Sequence, residues 1–504
     1  MNSVPTTTQV LVIGGGPGGS TAATLLARQG FEVTLLERAT FPRYHIGESL
    51  LPTILPILDL LGAREKVEAF GHQRKPGAFL KWGKEQWSLN FGELSGDTTY
   101  AFQVIRSEFD QQLLEHAKTQ GVRVLEGVEV RDLAFDGERP TSAGWLRGGS
   151  NGDVGEGRIA FEVLVDASGR SGLMGTRYLK NRRFHKVFQN VALWGYWEGA
   201  DRLATGREGD IVVNSIPDGW LWAIPLNDGT TSVGVVMHKE TVIARRGGGA
   251  EAILERAIDE APQVRSIVAQ GRRVSPVYSE QDYSYASREF CGPGYYLVGD
   301  AACFLDPLLS SGVHLATYSG MLVAACLASM RRGEVTEAEG QAFFEKTYRQ
   351  AYLRFLVFLS AFYDVGRVKE SYFWEAQRLT EQDAEAGDLR LAFLKLVTGV
   401  KDLTDIRRED AHRLVLEDMT RRIDENLALR KDKIALAEAD PPTRQVAAEN
   451  ARFFTSVEGL FALNAEDAVD GLYVVTEPQL GLARAVPEGT SLPKARESNE
   501  SASV

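Results

Sequence analysis

The chain has 504 residues, of which 44% are apolar and 25% are charged, and its formal net charge is -12. This length supports two or three packed regions. The acidic balance argues against nucleic-acid binding, because phosphate contacts require a basic face.

The apolar stretches are interrupted by charge or glycine, and the first residues lack a basic segment followed by an apolar one. We therefore expect a cytoplasmic protein with no membrane span and no secretion signal. The three cysteines have no metal-binding spacing, so we expect no metal site.

The first forty residues follow the order strand, glycine turn, helix, strand and acid. Residues 9–13 (QVLVI) form an unbroken apolar run, typical of a strand buried on both faces of a parallel sheet. Gly14, Gly16 and Gly19 have the GxGxxG spacing. Gly14 permits the tight turn, Gly16 lets a pyrophosphate approach the backbone, and Gly19 lets the helix lie close to the sheet. Glu37 follows the second strand and suits a pair of ribose hydroxyls. Together these features predict dinucleotide binding.

Three further segments resemble the flavoprotein monooxygenase fold: ERATFPR at 37–43, QVIRSEFDQQLL at 103–114 and YLVGDAA at 296–302. The resemblance predicts an α/β fold: an FAD-binding Rossmann-like domain, a β-sheet layer on the substrate side and a mainly helical C-terminal region. It implies that the dinucleotide is FAD, held by residues that include Arg43, Arg106 near the flavin, and Asp300 near the ribityl chain. Asp300 follows a predicted buried strand, at the sheet edge where open α/β folds bind ligands.

Residues 218–226 (DGWLWAIPL) predict a strand that carries Trp220 and Trp222 on the same face, because alternate residues of a strand share a face. Two such tryptophans are often simple core filling. With Ile224 and Pro225, however, they match the WxWxIP motif and resemble flavin-dependent halogenases. The resemblance implies that the indoles separate the flavin from the substrate, so that the flavin's oxygen adduct cannot hydroxylate the substrate directly.

Residues 71–83 (GHQRKPGAFLKWG) resemble the segment that carries the essential lysine of these halogenases, which implies that Lys75 is catalytic. An isolated lysine is usually solvated, whereas an enclosed one loses its proton more readily. The resemblance implies that Lys75 forms a chloramine or donates a hydrogen bond to hypochlorous acid. GESLLP at 47–52 resembles the family's strap between the flavin and substrate sites, and we place Ser49 among the cofactor-binding residues. Glu48 is as easily structural as catalytic.

The run DPLLSSGVHLA at 306–316 resembles a halide-binding segment in which tryptophan halogenases have glutamate at the position of Leu309. The amides of Ser311 and Gly312, at the start of a predicted helix, suit chloride because amides and helix dipole together favour an anion. Gly312 is also expected beside the cofactor. Leucine cannot stabilise the positive charge that builds on an indole under electrophilic attack. We therefore expect a more electron-rich ring, such as a phenol or a pyrrole.

We divide the chain into a core at 1–335, a mainly helical region at 336–484 and a disordered tail at 485–504. Within the core, the dinucleotide-binding segments are 9–120, 160–172 and 290–335, and the substrate-side sheet is 185–285. Helical spacing of apolar residues predicts helices at 341–366, 388–400 and 409–430. An aromatic stripe in this region favours core packing over pocket lining; it comprises Phe343, Phe344, Tyr348, Tyr352, Phe355, Phe358, Phe362, Tyr363, Tyr372, Phe373 and Trp374.

Over nearly the whole chain the resemblance is to variant bacterial halogenases of the chondrochloren type, which act on phenols. It implies that a separate flavin reductase supplies reduced FAD, oxygen gives a C4a-hydroperoxide, and chloride converts this to hypochlorous acid that reaches Lys75. The substrate would be an aromatic intermediate of secondary metabolism, free or tethered to a carrier protein, and the enzyme a monomer or homodimer. The cluster KNRR at 180–183 is a candidate carrier contact, although such clusters are usually solvated surface. The alternatives are an aromatic hydroxylase or prenyl-lipid reductase, and an inactive FAD-binding scaffold.

Overall fold

The computed structural model describes residues 3–82, 85–91, 100–148, 154–365, 463, 465 and 468–485. In chain order, its strands are β1 (Thr7–Ile13), β2 (Val33–Glu37), β3 (Gln73–Lys75), β4 (Gly77–Trp82), β5 (Glu85–Asn90), β6 (Ala101–Gln103), β7 (Arg123–Glu126), β8 (Val128–Asp136), β9 (Arg139–Gly148), β10 (Val154–Asp166), β11 (Arg182–Glu198), β12 (Ile211–Ile216), β13 (Gly219–Pro225), β14 (Thr231–His238), β15 (Arg272–Arg273), β16 (Tyr278–Ser287), β17 (Cys291–Gly292), β18 (Tyr295–Leu297), β19 (Cys303–Phe304), β20 (Leu472–Val475) and β21 (Gly481–Arg484). Its α-helices are α1 (Pro17–Arg28), α2 (Ile54–Leu61), α3 (Arg64–Phe70), α4 (Arg106–Thr119), α5 (Lys239–Ala244), α6 (Gly249–Glu260), α7 (Pro262–Val268), α8 (Ser311–Arg331) and α9 (Glu337–Val365).

The first sheet has the parallel arrangement that the glycine-turn region predicts. Its central strands lie in the order β18, β10, β1, β2 and β7, and each neighbouring pair is parallel. Val10, Leu11 and Val12 of β1 have no exposed surface, since neighbouring elements cover both faces of the strand. The antiparallel strands β8 and β9 extend this sheet from β10. They lie outside the dinucleotide-binding segments proposed from the sequence, so the sheet is larger than expected.

The second sheet is mainly antiparallel and has the order β19, β16, β11, β14, β13, β12, β4 and β5, with β15 paired to β11. It contains the predicted substrate-side segment. It also contains β4 and β5, which the sequence analysis grouped with the dinucleotide-binding segments. The reason is that β4 pairs in parallel with β12, a strand more than a hundred residues away, as in the pair Ala78 and Ile211. Local sequence patterns carry no information on such a pairing.

Helix α8 packs closely on α1 through small residues. A Cβ atom at Gly320 would lie 2.8 Å from the carbonyl oxygen of Gly18, so only glycine allows the two backbones to approach this closely. By length and apolar composition α8 could cross a membrane, but 89% of its apolar window is buried inside the protein. Packing in the core therefore accounts for its apolar character.

In the described part of the C-terminal region, α9 packs on α8, and its aromatic residues fill the core. The ring centroids of Phe344 and Tyr296 are 5.0 Å apart, and those of Tyr348 and Phe290 are 5.1 Å apart. Phe343, Phe344, Tyr348 and Tyr352 are thus core residues, as the sequence favoured, and Phe355 packs against this core while partly buried. A hairpin of β20 and β21, which helical spacing did not predict, also packs on α8. The predicted helices at 388–400 and 409–430 and nearly all of the predicted disordered tail lie outside the described residues.

Candidate active site

The turn between β1 and α1 has space for backbone and ligand but not for side chains. Gly14 has a φ of +103°, and a Cβ atom there would lie 2.3 Å from the carbonyl oxygen of Ala167. A Cβ atom at Gly19 would lie 1.9 Å from the carbonyl oxygen of Gly14. Gly16, in contrast, has only the Arg43 guanidinium as a near neighbour, at 3.4 Å from its Cβ position. The helix N-terminus and this guanidinium together suit a pyrophosphate.

Glu37 lies at the carboxyl end of β2 and is 5% exposed. Its Oε2 accepts a hydrogen bond from the amide of Gly15 at 2.7 Å, and its Oε1 accepts one from the amide of Ala39 at 2.8 Å. The carboxylate therefore closes the glycine turn, a role that spacing alone did not indicate. Because each carboxylate oxygen accepts more than one hydrogen bond, Glu37 keeps acceptor capacity for the ribose hydroxyls predicted from its position.

Arg106 begins α4 and fixes the segment that contains GESLLP. Its Nε donates to Asp110 Oδ1 at 2.8 Å and its Nη2 to Oδ2 at 3.0 Å. Its Nη1 donates to the carbonyl oxygens of Ile46 and Gly47 at 2.9 and 3.2 Å. Asp110 also pairs with Arg43 at 3.2 Å. Asp110 was not among the site residues expected from the sequence, although its spacing of four residues from Arg106 on a helix was an available signal.

Ser49 and Asp300 lie where a ligand could use them. Ser49 is 8% exposed, and its hydroxyl has no hydrogen-bond partner among the described residues. Asp300 lies in a short 3-10 turn, Gly299–Ala301, after β18, and its carbonyl oxygen accepts a hydrogen bond from the Tyr285 hydroxyl at 2.6 Å. Desolvation raises the pKa of the Asp300 carboxyl. Together with the glycine turn and Arg43, these groups fit an FAD molecule laid along the carboxyl ends of the parallel strands.

Lys75 ends β3 and is buried, with 2% of its surface exposed. Its Nζ donates a hydrogen bond to the carbonyl oxygen of Leu50 at 2.8 Å and lies 5.4 Å from the ring centroid of Phe91. Burial lowers the pKa of Lys75 from 10.5 to about 7, and the Asp210 carboxylate opposes this only in part. Because this amine loses its proton near neutral pH, it can act as a nucleophile there.

The two tryptophans of β13 lie on one face, as strand alternation predicts. Trp220 and Trp222 belong to the large core with Ile224, whereas Leu221 and Ala223 belong to a second core under α6 and α7. The two indole rings are 5.9 Å apart, and the Trp222 Nε1 donates to Ser232 Oγ at 3.1 Å. Pro225 pairs with Thr231 at the strand end.

Close packing of Trp222 depends on its neighbour across the strands, Gly234 of β14. A Cβ atom at Gly234 would lie 2.2 Å from the Trp222 ring, so no larger residue fits there without moving the indole. Gly234 was not among the site residues expected from the sequence. A glycine inside an otherwise β-branched strand was the available signal.

The halide site proposed from the sequence lies at the start of α8, and its role stays a prediction. Leu309 ends a 3-10 turn, Pro307–Leu309, and Ser310 takes a left-handed conformation with a φ of 54°, after which the helix begins at Ser311. Apart from its chain neighbours and the helix's own backbone, no atom of the described residues lies within 4 Å of the Cβ position of Gly312, so this side of the residue is open. No group of three or more His, Cys, Asp or Glu suited to a metal ion occurs among the described residues.

The fold and these residues define a flavoprotein that binds FAD. The family model described as "Tryptophan halogenase" matches residues 9–99 and 93–397. A "Tryptophan 2-halogenase" of Chondromyces crocatus is 46% identical, over 96% of this chain and 95% of its own length. The solved structure of the myxobacterial chondrochloren halogenase CndH matches with a TM-score of 0.70 and 40% identity, covering 81% of this chain and 93% of that one. The solved structure of the flavin-dependent halogenase CmlS matches with a TM-score of 0.69 and 31% identity, covering 84% of this chain and 79% of that one.

The chain therefore belongs to the flavin-dependent halogenase family, as the WxWxIP motif and the segment around Lys75 predicted. It is an enzyme that uses FAD and a halide, and not the hydroxylase, reductase or inactive scaffold considered as alternatives. Enzymes of this family generally take an aromatic substrate and need a separate flavin reductase. The roles of the individual site residues remain predictions.

Proposed function

We propose that this enzyme chlorinates a phenolic ring in secondary metabolism, in the cytoplasm, with Lys75 as the residue that carries or directs the halogen. The single observation that carries the proposal is the burial of Lys75, which lowers the pKa of its amine to about 7. Reduced FAD, when bound, would supply two electrons that partly reduce oxygen, and the resulting oxidant would take two electrons from chloride to give an electrophilic chlorine donor. The remaining steps belong to residues of the chain.

Lys75 supports a covalent route. Its uncharged amine attacks the chlorine of hypochlorous acid, an N–Cl bond forms as the Cl–O bond breaks, and the amine proton leaves with hydroxide as water. The hydrogen bond to the Leu50 carbonyl fixes the position of Nζ. The charged form of Lys75 can instead donate a hydrogen bond to hypochlorous acid. The two routes differ in pH dependence: chloramine formation gains rate as pH rises through the pKa of Lys75, and the hydrogen-bonded route loses rate.

Chloride is proposed to bind the amides of Ser311 and Gly312. The helix that begins there is 21 residues long, and the left-handed Ser310 before it turns the chain into the helix. Amides at a helix start attract an anion without a full positive charge, so the halide remains free to react.

The proposed phenolic substrate rests on Leu309, which is partly buried and carries no charge. A leucine cannot stabilise a cation developing on the ring, whereas a phenolate donates its own electron density. Tryptophan is the second candidate, because a 46% identical relative is named a tryptophan 2-halogenase. Tethering of the substrate to a carrier protein is a further proposal, for which the exposed residues Lys180 and Arg183 offer positive charge.

The test is a reaction of the purified enzyme with FAD, a flavin reductase and chloride, with bromide in parallel. The substrates are free phenols, the same phenols loaded on a carrier protein, and tryptophan, with products identified by mass spectrometry. Chlorinated phenol with unchanged tryptophan supports the proposal, and chlorinated tryptophan alone overturns the substrate class. Lys75→Ala is expected to keep oxygen consumption but to lower chlorinated product on the order of 10²–10⁴-fold. Lys81→Ala, on the neighbouring strand β4, is the matched lysine control.

A further inference from the structure

A line of hydrogen-bonded side chains leads from the protein surface to a buried carboxyl group. The Trp194 Nε1 donates to the Tyr44 hydroxyl at 2.7 Å, and the hydroxyls of Tyr44 and Tyr196 are 2.9 Å apart. The Tyr196 hydroxyl donates to Glu48 Oε1 at 2.8 Å. Tyr44 is 52% exposed, whereas Glu48 is 3% exposed. The line thus connects solvent with the interior through two tyrosines.

The hydrogen bonds from Tyr44 to Tyr196 and from Tyr196 to Glu48 point inward, whereas the buried Trp194 donates outward to Tyr44 and fixes the direction of the other two. An indole N–H can only donate, and Tyr196 uses its proton for Glu48, so Tyr44 must donate to Tyr196. Each donor in the line polarises the next, which strengthens the series. Burial raises the pKa of Tyr44 to about 12 and that of Tyr196 further still. Both tyrosines therefore stay uncharged, and a proton passes them only if each hydroxyl receives one as it gives one up.

The Glu48 carboxyl can hold or lose a proton under physiological conditions. Burial raises its pKa to about 7, against the opposing influence of Tyr196 and Ser232 and of the Arg106 charge, while the Asp228 charge raises it further. Ser232 lies near the carboxyl, but no hydrogen bond of good geometry reaches Glu48 Oε2 within the described part of the chain. One carboxyl oxygen thus faces the tyrosine line, and the other is left for a different partner.

The position of Glu48 connects it with the predicted reaction site. Its carbonyl oxygen accepts the amide of Val104 at 2.8 Å, and two residues further on the carbonyl of Leu50 accepts Lys75 Nζ at 2.8 Å. Ser232, beside the carboxyl, accepts the Nε1 hydrogen bond of Trp222 at 3.1 Å. The segment that holds Lys75 therefore also holds Glu48, next to the WxWxIP strand.

We propose that Tyr44, Tyr196 and Glu48 form a proton relay that carries protons from solvent to the halogenation site. The overall reaction requires such a supply: reduced FAD (FADH2), oxygen, chloride, an aromatic C–H and one proton give FAD, the chlorinated ring and two waters. One proton is consumed per turnover, and Lys75 and Glu48, between which the proton would be needed, are only 2% and 3% exposed. The inference rests on the halogenase activity of the family and goes beyond the proposed substrate and the role of Lys75.

Each relay cycle is balanced. Glu48 gives its proton to the site through Oε2. The Tyr196 hydroxyl then passes its proton to Oε1, takes one from Tyr44, and Tyr44 takes one from water. Rotation of the carboxyl and of the two hydroxyls restores the starting arrangement. The net result is one proton moved inward, with no charge left on either tyrosine.

The experiment uses the holoenzyme with FAD and chloride, and compares Tyr44→Phe, Tyr196→Phe and Glu48→Gln with Tyr278→Phe. Tyr278 is the matched control because its ring stacks on that of Tyr44 at 5.1 Å without taking part in the line. Reduced enzyme is mixed with oxygen, and proton uptake and chlorination are followed as a function of pH in H2O and D2O. FAD content confirms that each variant is folded.

We expect Tyr196→Phe and Glu48→Gln to slow proton uptake and chlorination above neutral pH by about 10²-fold, the low end of what acid–base groups contribute. Tyr44→Phe is expected to slow proton uptake and chlorination less, and its rates should recover as the pH falls. The solvent isotope effect should change in all three relay variants. The relay is overturned if Tyr196→Phe shows the rates, pH profile and isotope effect of Tyr278→Phe.

A second measurement does not depend on turnover. An infrared titration of the oxidised holoenzyme is expected to show a carboxyl band that titrates near neutral pH and is absent in Glu48→Gln, and a missing band also overturns the relay. If the wild type chlorinates none of the phenols, the proposed substrate class fails, whereas this titration and the proton uptake during oxygen consumption still test the relay.

Discussion

Replacing Lys75 by methionine tests whether burial sets the protonation of this amine. Lys75 is 2% exposed, and burial lowers its pKa from 10.5 to about 7. Methionine fills nearly the same volume without a charge, and the main loss is the hydrogen bond that Nζ donates to the Leu50 carbonyl. The expected result is an enzyme that makes almost no chlorinated product and is more stable than the wild type near neutral pH.

The size of this stability effect follows from the pKa of Lys75 in the unfolded chain, 10.5, and in the folded protein, about 7. Each pKa unit corresponds to about 1.4 kcal/mol, so burying the charged form of Lys75 costs roughly 5 kcal/mol relative to the amine. Between about pH 7 and 10.5 the unfolded chain holds a proton that the folded protein has lost, so wild-type stability rises with pH across this window. The cost of burying the charged amine is paid in full below about pH 7, the pKa of Lys75 in the folded protein, and disappears above pH 10.5, its pKa in the unfolded chain. From pH 7 to pH 9 it falls by about 2 kcal/mol.

The assay is urea denaturation of wild type and Lys75→Met at these two pH values, followed by circular dichroism. The free energy of unfolding of the variant minus that of the wild type should be about 2 kcal/mol smaller at pH 9 than at pH 7. The lost hydrogen bond to the Leu50 carbonyl shifts the free-energy difference by the same amount at pH 7 and at pH 9. Lys66→Met is the control, because Lys66 is exposed and its replacement should show little dependence on pH. A difference for Lys75→Met that is the same at both pH values would refute the reasoning.

Three further results are expected. Gly19→Ala should abolish FAD binding, measured by flavin absorbance of the purified protein, because the added methyl carbon would lie 1.9 Å from a carbonyl oxygen of the glycine turn. Arg106→Met should lower the free energy of unfolding by at most about 3 kcal/mol, the low end for a broken buried ion pair, because the Asp110 carboxylate loses its bidentate partner but keeps Arg43 at 3.2 Å. An unchanged urea midpoint would contradict this. Trp222→Phe should retain FAD but raise the ratio of hydroxylated to chlorinated product in mass spectra, and an unaltered ratio would argue against a separating role for the indole.

The elements predicted best are those whose signals are local. The turn at Gly14 and Gly19 needs glycine for contacts made within a few residues or with the adjoining strand, so its spacing shows in the sequence. The shared face of Trp220 and Trp222 follows from the two-residue period of a strand, and the structure places both in one core. Helix α8 likewise begins at Ser311, where the sequence predicted the start of a helix.

The features that the sequence did not predict depend on distant partners. Strand β4 joins the second sheet through pairs such as Ala78 with Ile211, and no periodicity within β4 specifies its neighbour. The hairpin of β20 and β21 is held to α8 by a hydrogen bond from the Leu482 amide to the Ser329 hydroxyl, formed across 153 residues. A helical pattern in the surrounding region gave no indication of it.

The sequence by itself thus determined the glycine turn, through its spacing, and the class of enzyme, through the resemblance of short segments to a known family. The role of Lys75 stays a prediction. Only the tertiary structure decided that Lys75 is buried against the carbonyl of Leu50, 25 residues away, and that Glu48 receives the hydroxyl of Tyr196 from 148 residues away. The protonation of both groups depends on removal from water, and burial is a property of the packed molecule rather than of any segment.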